Sequence, residues 1–115
     1  MSYVADLHLH SSYAYATSKA LSLENLAAWA RLKGIHLLAS ADFTHPAWFQ
    51  ELREKLVEVT PGLYRFGGVH FVLGTEVSCV YQQAQRPRRV HLLLFAPNFA
   101  TVARLNLALA PYGKL

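Results

Sequence analysis

The chain has 115 residues, 53% of them hydrophobic and 16% charged, which excludes a disordered tail and an array of domains. No apolar run approaches the ~20 residues that span a bilayer, the start MSYVADLHLH carries no basic-then-apolar leader, and the single Cys79 has no internal disulfide partner, so a reduced, cytoplasmic setting with no membrane partner is expected. The net charge of +4 tolerates a polyanionic partner without demanding one.

In chain order, Tyr3 to His8 reads as a short strand and Ser11 to Ser18 as a loop. Ser22 caps a helix from Leu23 to about Lys33, whose Leu23, Leu26, Ala27 and Ala30 repeat on one face, with Gly34 to end it. Ile35 to Ala41 reads as a buried strand closed by Asp42. Pro46 suits a first helical turn, and a second helix is predicted from Ala47 to about Glu58. Thr60-Pro61-Gly62 and Gly67-Gly68 punctuate a connection. Strands are predicted over Val69 to Val77 and Val90 to Phe95, joined by a polar, basic loop from Tyr81 to Arg89. Asn98 caps a third helix, about Phe99 to Ala110, stopped by Pro111 and Gly113. The order β-α-β-α-β-β-α argues for an α/β architecture with largely parallel pairing. Four strands make only part of a βα barrel, which typically takes ~250 residues when eight-stranded. The chain is therefore expected to be one truncated domain, the amino-terminal part of something larger.

Six histidines are many for this length. His8 and His10 form an H-x-H at the end of the first strand, where residues two apart share a face. Asp42 ends the second strand with His45 three residues on; Glu76 lies near the end of the third and His91 in the fourth. In parallel α/β folds the carboxyl ends of strands form the ligand site. Such mixed nitrogen and carboxylate donors suit Zn²⁺, Mn²⁺ or Fe²⁺, with Mg²⁺ also open, and Glu76 is placed to bridge two ions. Asp6 points to the side of His8 and is expected to accept a histidine N–H. His36 and His70 precede Asp42 and Glu76 by six residues each, ~20 Å along a strand, and are assigned to structure.

Taken singly, each has an ordinary explanation: Asp42 as a turn residue, His91 as a hydrogen-bonded core histidine, Cys79 as a small buried residue. Joint placement at strand ends tips the balance, because a buried unpaired Glu76 would be costly. Arg86, Arg88 and Arg89 read either as a phosphate-binding group, with Lys19, or as a solvated basic loop. Tyr13, Tyr15 and Trp48 are candidates to stack on a base, although core packing suits Trp48 better. Ser11 and Ser12 have no committed base, so the catalytic nucleophile is expected to be metal-activated water. No G-x-x-x-x-G-K-[ST] occurs.

With those residues in place, the chain resembles the PHP (polymerase and histidinol phosphatase) superfamily. Asp6-Leu7-His8-Leu9-His10-Ser11 matches its opening D-x-H-x-H-[ST], Asp42 its second-strand acid, Gly74-Thr75-Glu76 its G-x-E, and His91 the next ligand histidine. Ala16-Thr17-Ser18-Lys19, Asp42-Phe43-Thr44-His45-Pro46, Thr75-Glu76-Val77-Ser78-Cys79 and Arg89 to Pro97 are similar to the endonuclease Q branch. That resemblance implies the amino-terminal half of a seven-stranded, TIM-like βα barrel holding two or three divalent ions on His8, His10, Asp42, His45, Glu76 and His91. It also implies a DNA-repair endonuclease that cleaves on the 5′ side of deaminated bases or abasic sites, with DNA as partner. The alternatives are a phosphatase of small phosphomonoesters and an inactive fragment. Phe43 stands where the superfamily often has a histidine, Ala16 replaces another, and no later histidine or D-x-H follows. The site is thus expected to need a missing carboxyl-terminal half, in cis or in trans.

Overall fold

The structure, a computed structural model, describes residues 2–8 and 22–112. His10, Lys19, Ser11, Ser12, Tyr13, Tyr15 and Ala16 lie outside the described residues. The described part is a mixed α/β fold of six strands and three helices. In chain order these are β1 (Ala5–Asp6), α1 (Leu23–Lys33), β2 (Leu37–Ala39), α2 (Pro46–Lys55), β3 (Val57–Thr60), β4 (Leu63–Phe66), β5 (Val69–Gln83), β6 (Arg86–Ala96) and α3 (Phe99–Leu109). A 3-10 turn, Ala110–Tyr112, ends the described chain.

Helix α1 forms as its sequence dictates. The Ser22 hydroxyl accepts from the Asn25 amide at 3.2 Å. At the other end Gly34 takes the left-handed conformation (φ 73°), and the Ile35 amide returns to the Ala30 carbonyl at 2.8 Å. Leu23, Leu26, Ala27 and Ala30 are buried with Leu38, Phe71 and Leu73 of the sheet. Helix α2 is shorter than its periodicity suggests. It stops at Lys55, and Val57 to Thr60 turn into strand β3, hairpinned to β4 across Pro61-Gly62. The β-branched alternation of Val57, Val59 and Thr60 favours a pleated surface once a partner strand is at hand. The expected connection is therefore a hairpin, and a second tight turn follows at Gly67-Gly68. Both glycines have positive φ (58° and 79°), which suits the twist of flanking antiparallel strands.

The sheet order is β1-β2-β5-β4-β3, with β6 paired to β5. Only β1, β2 and the start of β5 run parallel; β3, β4 and β6 are antiparallel, so the expectation of largely parallel pairing holds for half the strands. β5 changes partners along its length. His70 to Val72 pair with β2, and Leu73 to Gln83 pair with β6. The predicted loop over Tyr81 to Arg89 is absent. β5 and β6 run on as an antiparallel ribbon to a two-residue turn at Ala84-Gln85, with φ 50° and 64°.

Register separates the two faces of the sheet. Leu38 and Phe71 face the helices and are fully buried. Leu37 and Val72 turn to the other side, where with Leu7, Gly62, Phe95, Ala96 and Pro97 they line an open apolar hollow of about 400 Å³. No helix among the described residues is long and apolar enough to cross a membrane.

Candidate metal centre at the strand ends

Because β1, β2 and the start of β5 are parallel, their carboxyl ends lie at one end of the sheet, and each delivers a polar residue there. Just past β1, the His8 amide donates to Asp6 Oδ1 at 3.2 Å. Asp6 thus acts on the main chain of His8, where a contact with a histidine ring was expected.

At the end of β2 the chain makes a strained turn. Ala41 and Asp42 both have positive φ (61° and 39°), a conformation that costs a non-glycine residue of order 1–3 kcal/mol. Six hydrogen bonds hold it. Ser40 Oγ donates to the Gly74 carbonyl and accepts from the Gly74 amide, both at 3.1 Å, tying the turn to β5. The Trp48 indole N–H donates to the carbonyls of Ser40 and Ala41, both at 2.9 Å. The Asp42 carbonyl accepts from the His45 amide at 3.0 Å. Asn106 of α3 donates to the Phe43 carbonyl at 2.9 Å. Trp48 is fully buried, so its work is to fix this turn from the core and not to stack on a base. His45 is the N-cap of α2. Its Nδ1 accepts from the Ala47 amide at 3.3 Å.

Glu76 on β5 joins the elements. Its Oε1 bonds His91 Nδ1 at 2.6 Å, and its Oε2 bonds His8 Nε2. Register explains the first contact: Glu76 faces Leu93 and Ser78 faces His91, so Glu76 and His91 are diagonal neighbours on one face. The carboxylate is largely shielded (15% exposed), whereas the His8 and His91 side chains are 57% and 55% exposed. One carboxylate with an imidazole on each oxygen fits a ligand that bridges two cations. Imidazole and carboxylate donors suit Zn²⁺, Mn²⁺ or Fe²⁺. Among the described residues these donors form a bonded row and not a closed cage of three or more around one point.

The remaining histidines sit where strand length puts them. The Val4 amide donates to His36 Nδ1 at 3.0 Å, and Tyr3 packs edge-on against the same ring. His36 and His70 share a hollow of about 320 Å³ at the amino ends of the strands with Tyr3, Arg31 and Ile35. Both lie at the ends of their strands away from Glu76. Arg86, Arg88 and Arg89 lie on β6 and not on a loop. Arg89 faces Val80, on the side of His91 and Glu76, and Arg86 and Arg88 turn to the opposite side. Cys79 also lies on the ribbon and is exposed, contrary to the expected burial, because none of the described residues covers that stretch.

No protein-family model matches the chain. It is similar to the crystal structure of the lesion-specific endonuclease PfuEndoQ from Pyrococcus furiosus, with a TM-score of 0.80 and 32% identity over 96% of this chain. The same figures hold for a structure of endonuclease Q in complex with a 27-mer duplex substrate carrying an abasic lesion at the active site. The uncharacterised protein MJ0043 of Methanocaldococcus jannaschii is 28% identical over 109 residues. The chain spans 26% of the endonuclease Q structures and 12% of MJ0043. The likeness to endonuclease Q covers nearly all of this chain.

Proposed function

We propose that the chain is the metal-holding part of a DNA-repair nuclease of the endonuclease Q type, folded as one side of a βα barrel. The observation that carries this reading is the Glu76 carboxylate, shielded in the middle of β5 and not near a strand end as expected, with His8 on one oxygen and His91 on the other. The likeness to endonuclease Q, including the form holding an abasic duplex, supports DNA as the substrate.

His8, His10, Asp42, His45, Glu76 and His91 would hold two or three divalent ions. Bound there, the ions would lower the pKa of an attacking water and neutralise charge on the phosphodiester. The chain's own residues do the positioning. Ser40 and Trp48 fix the turn that carries Asp42, Asp6 sets the main chain of His8, and the β5–β6 register sets His91 against Glu76. The open apolar hollow beside Leu7 and Phe95 is the side on which further strands would close a barrel, in cis or in trans, and would supply the remaining ligands.

The test is incision of an end-labelled duplex with one abasic site or one deaminated base, in Mn²⁺, Zn²⁺ or Mg²⁺. The reading expects a cut on the 5′ side of the lesion that is lost in Glu76→Gln. Phosphate release from a small ester without incision would instead mark a phosphatase. Neither activity, with no metal bound, would mark an inactive fragment.

A further inference from the structure

The β5–β6 ribbon has features that the Glu76 site does not use. From Ser78 to Leu93 every residue is exposed, on both faces, so among the described residues no helix or further strand covers this stretch. It is basic towards the tip: Arg86, Arg88 and Arg89 lie there, and Ser78 to His91 contains no Asp or Glu. The tip itself is amide-rich, with Gln82, Gln83 and Gln85. A two-stranded ribbon is one of the elements the major groove of duplex DNA admits.

The register distributes the charge. Arg86 and Arg88 face Gln83 and Tyr81 on one side of the ribbon, and Arg89 faces Val80 on the other, the side of His91 and Glu76. Arg86 and Arg88 are two residues apart, ~6.8 Å along a strand, close enough for both to reach phosphates of one DNA backbone. The Val80–Arg89 pair lies four residues beyond Glu76 on β5, ~14 Å from the candidate centre.

We propose that the ribbon is a duplex-gripping arm. It lies along a groove beside the Glu76 site, with Arg86 and Arg88 on the backbone of one strand and Arg89 on the strand that enters the site. This inference rests on the nuclease reading of that site. Cations on both faces are what an element between two phosphate walls requires; a ribbon that merely lay on a protein surface would need them on one face at most.

Two measurements on the same chain test it. The first is fluorescence anisotropy with an undamaged duplex across a salt series, for the wild type and for Arg86→Gln/Arg88→Gln/Arg89→Gln. All three side chains are exposed, so the variant keeps the fold. Each lost phosphate contact lowers the salt slope by about 0.9, so between 50 and 200 mM salt the wild type loses about 40-fold more affinity than the variant. The second is photo-cross-linking from a reagent on the exposed Cys79, which faces the Arg88 side, and from Val80→Cys in a Cys79→Ser background, which faces the Arg89 side. The arm predicts cross-links to opposite DNA strands. Duplex binding with an unchanged salt slope in the triple variant, or cross-links to the same strand from both positions, overturns the arm and leaves the nuclease reading standing. Failure of the wild type to bind duplex at all overturns both.

Discussion

Replacing Trp48 by Phe tests how the candidate centre is built. The indole N–H is the shared donor to the Ser40 and Ala41 carbonyls, and the ring is fully buried. Phe keeps most of the apolar volume but removes the donor. A buried carbonyl left without its partner costs ~1–3 kcal/mol. The smaller ring leaves a void of roughly 40 Å³, which at ~24 cal/mol per Å³ adds about 1 kcal/mol. The sum is about 2–4 kcal/mol, or roughly 8–16 °C in Tm for a domain of this size. The strain at Ala41 and Asp42 sharpens the prediction, because a turn held in the left-handed region persists only while its surroundings over-determine it. Urea and thermal unfolding followed by circular dichroism measure the loss. Mn²⁺ titration should show weaker binding in the same variant, since Asp42 is no longer held. A variant within ~0.5 kcal/mol of the wild type would refute the claim that the indole anchors this turn.

Ser40→Ala should cost about 2–4 kcal/mol, because the Gly74 amide and carbonyl both lose the Ser40 hydroxyl at a buried position; faster hydrogen exchange at the Gly74 amide is the specific readout. The Glu24–Lys55 pair, 2.5 Å apart, predicts a small pH effect. The Lys55 hydrogen bond holds the Glu24 carboxyl below its ordinary value of 4.5, so its contribution is present above that pH and is lost as pH falls through the lowered value. Both side chains are partly exposed, so the loss is a few tenths of a kcal/mol and should vanish in high salt. Glu24→Gln should flatten that part of the acid-unfolding curve.

Much of this architecture is legible in the residues. Helix α1 is legible from end to end, because cap, apolar stripe and terminal glycine agree. The separation of His36 and His70 from Glu76 follows from strand rise alone. The hairpin β3–β4 is not legible, because Val57 to Thr60 continue an acceptable helical pattern and only pairing with Leu63 to Phe66 decides for a strand. The ribbon escapes for a different reason. Its Ala84-Gln85 turn needs positive φ at both residues yet lacks the Asn or Gly that marks such turns, and Pro87 argues against a strand unless the strand is at an edge. The contact of Glu76 with His91 depends on that missed register. The role of Trp48 is invisible in sequence, since an indole in an apolar helix face gives no sign of which carbonyl it meets.

The central claim is that Glu76, midway along β5 and beside the carboxyl ends of β1 and β2, bridges cations. Calorimetric titration of the chain with Zn²⁺ or Mn²⁺, comparing wild type, Glu76→Gln and His70→Ala, tests it directly. The account predicts that Glu76→Gln loses more than one bound ion while His70→Ala binds as the wild type does. Equal stoichiometry and affinity in all three would contradict it.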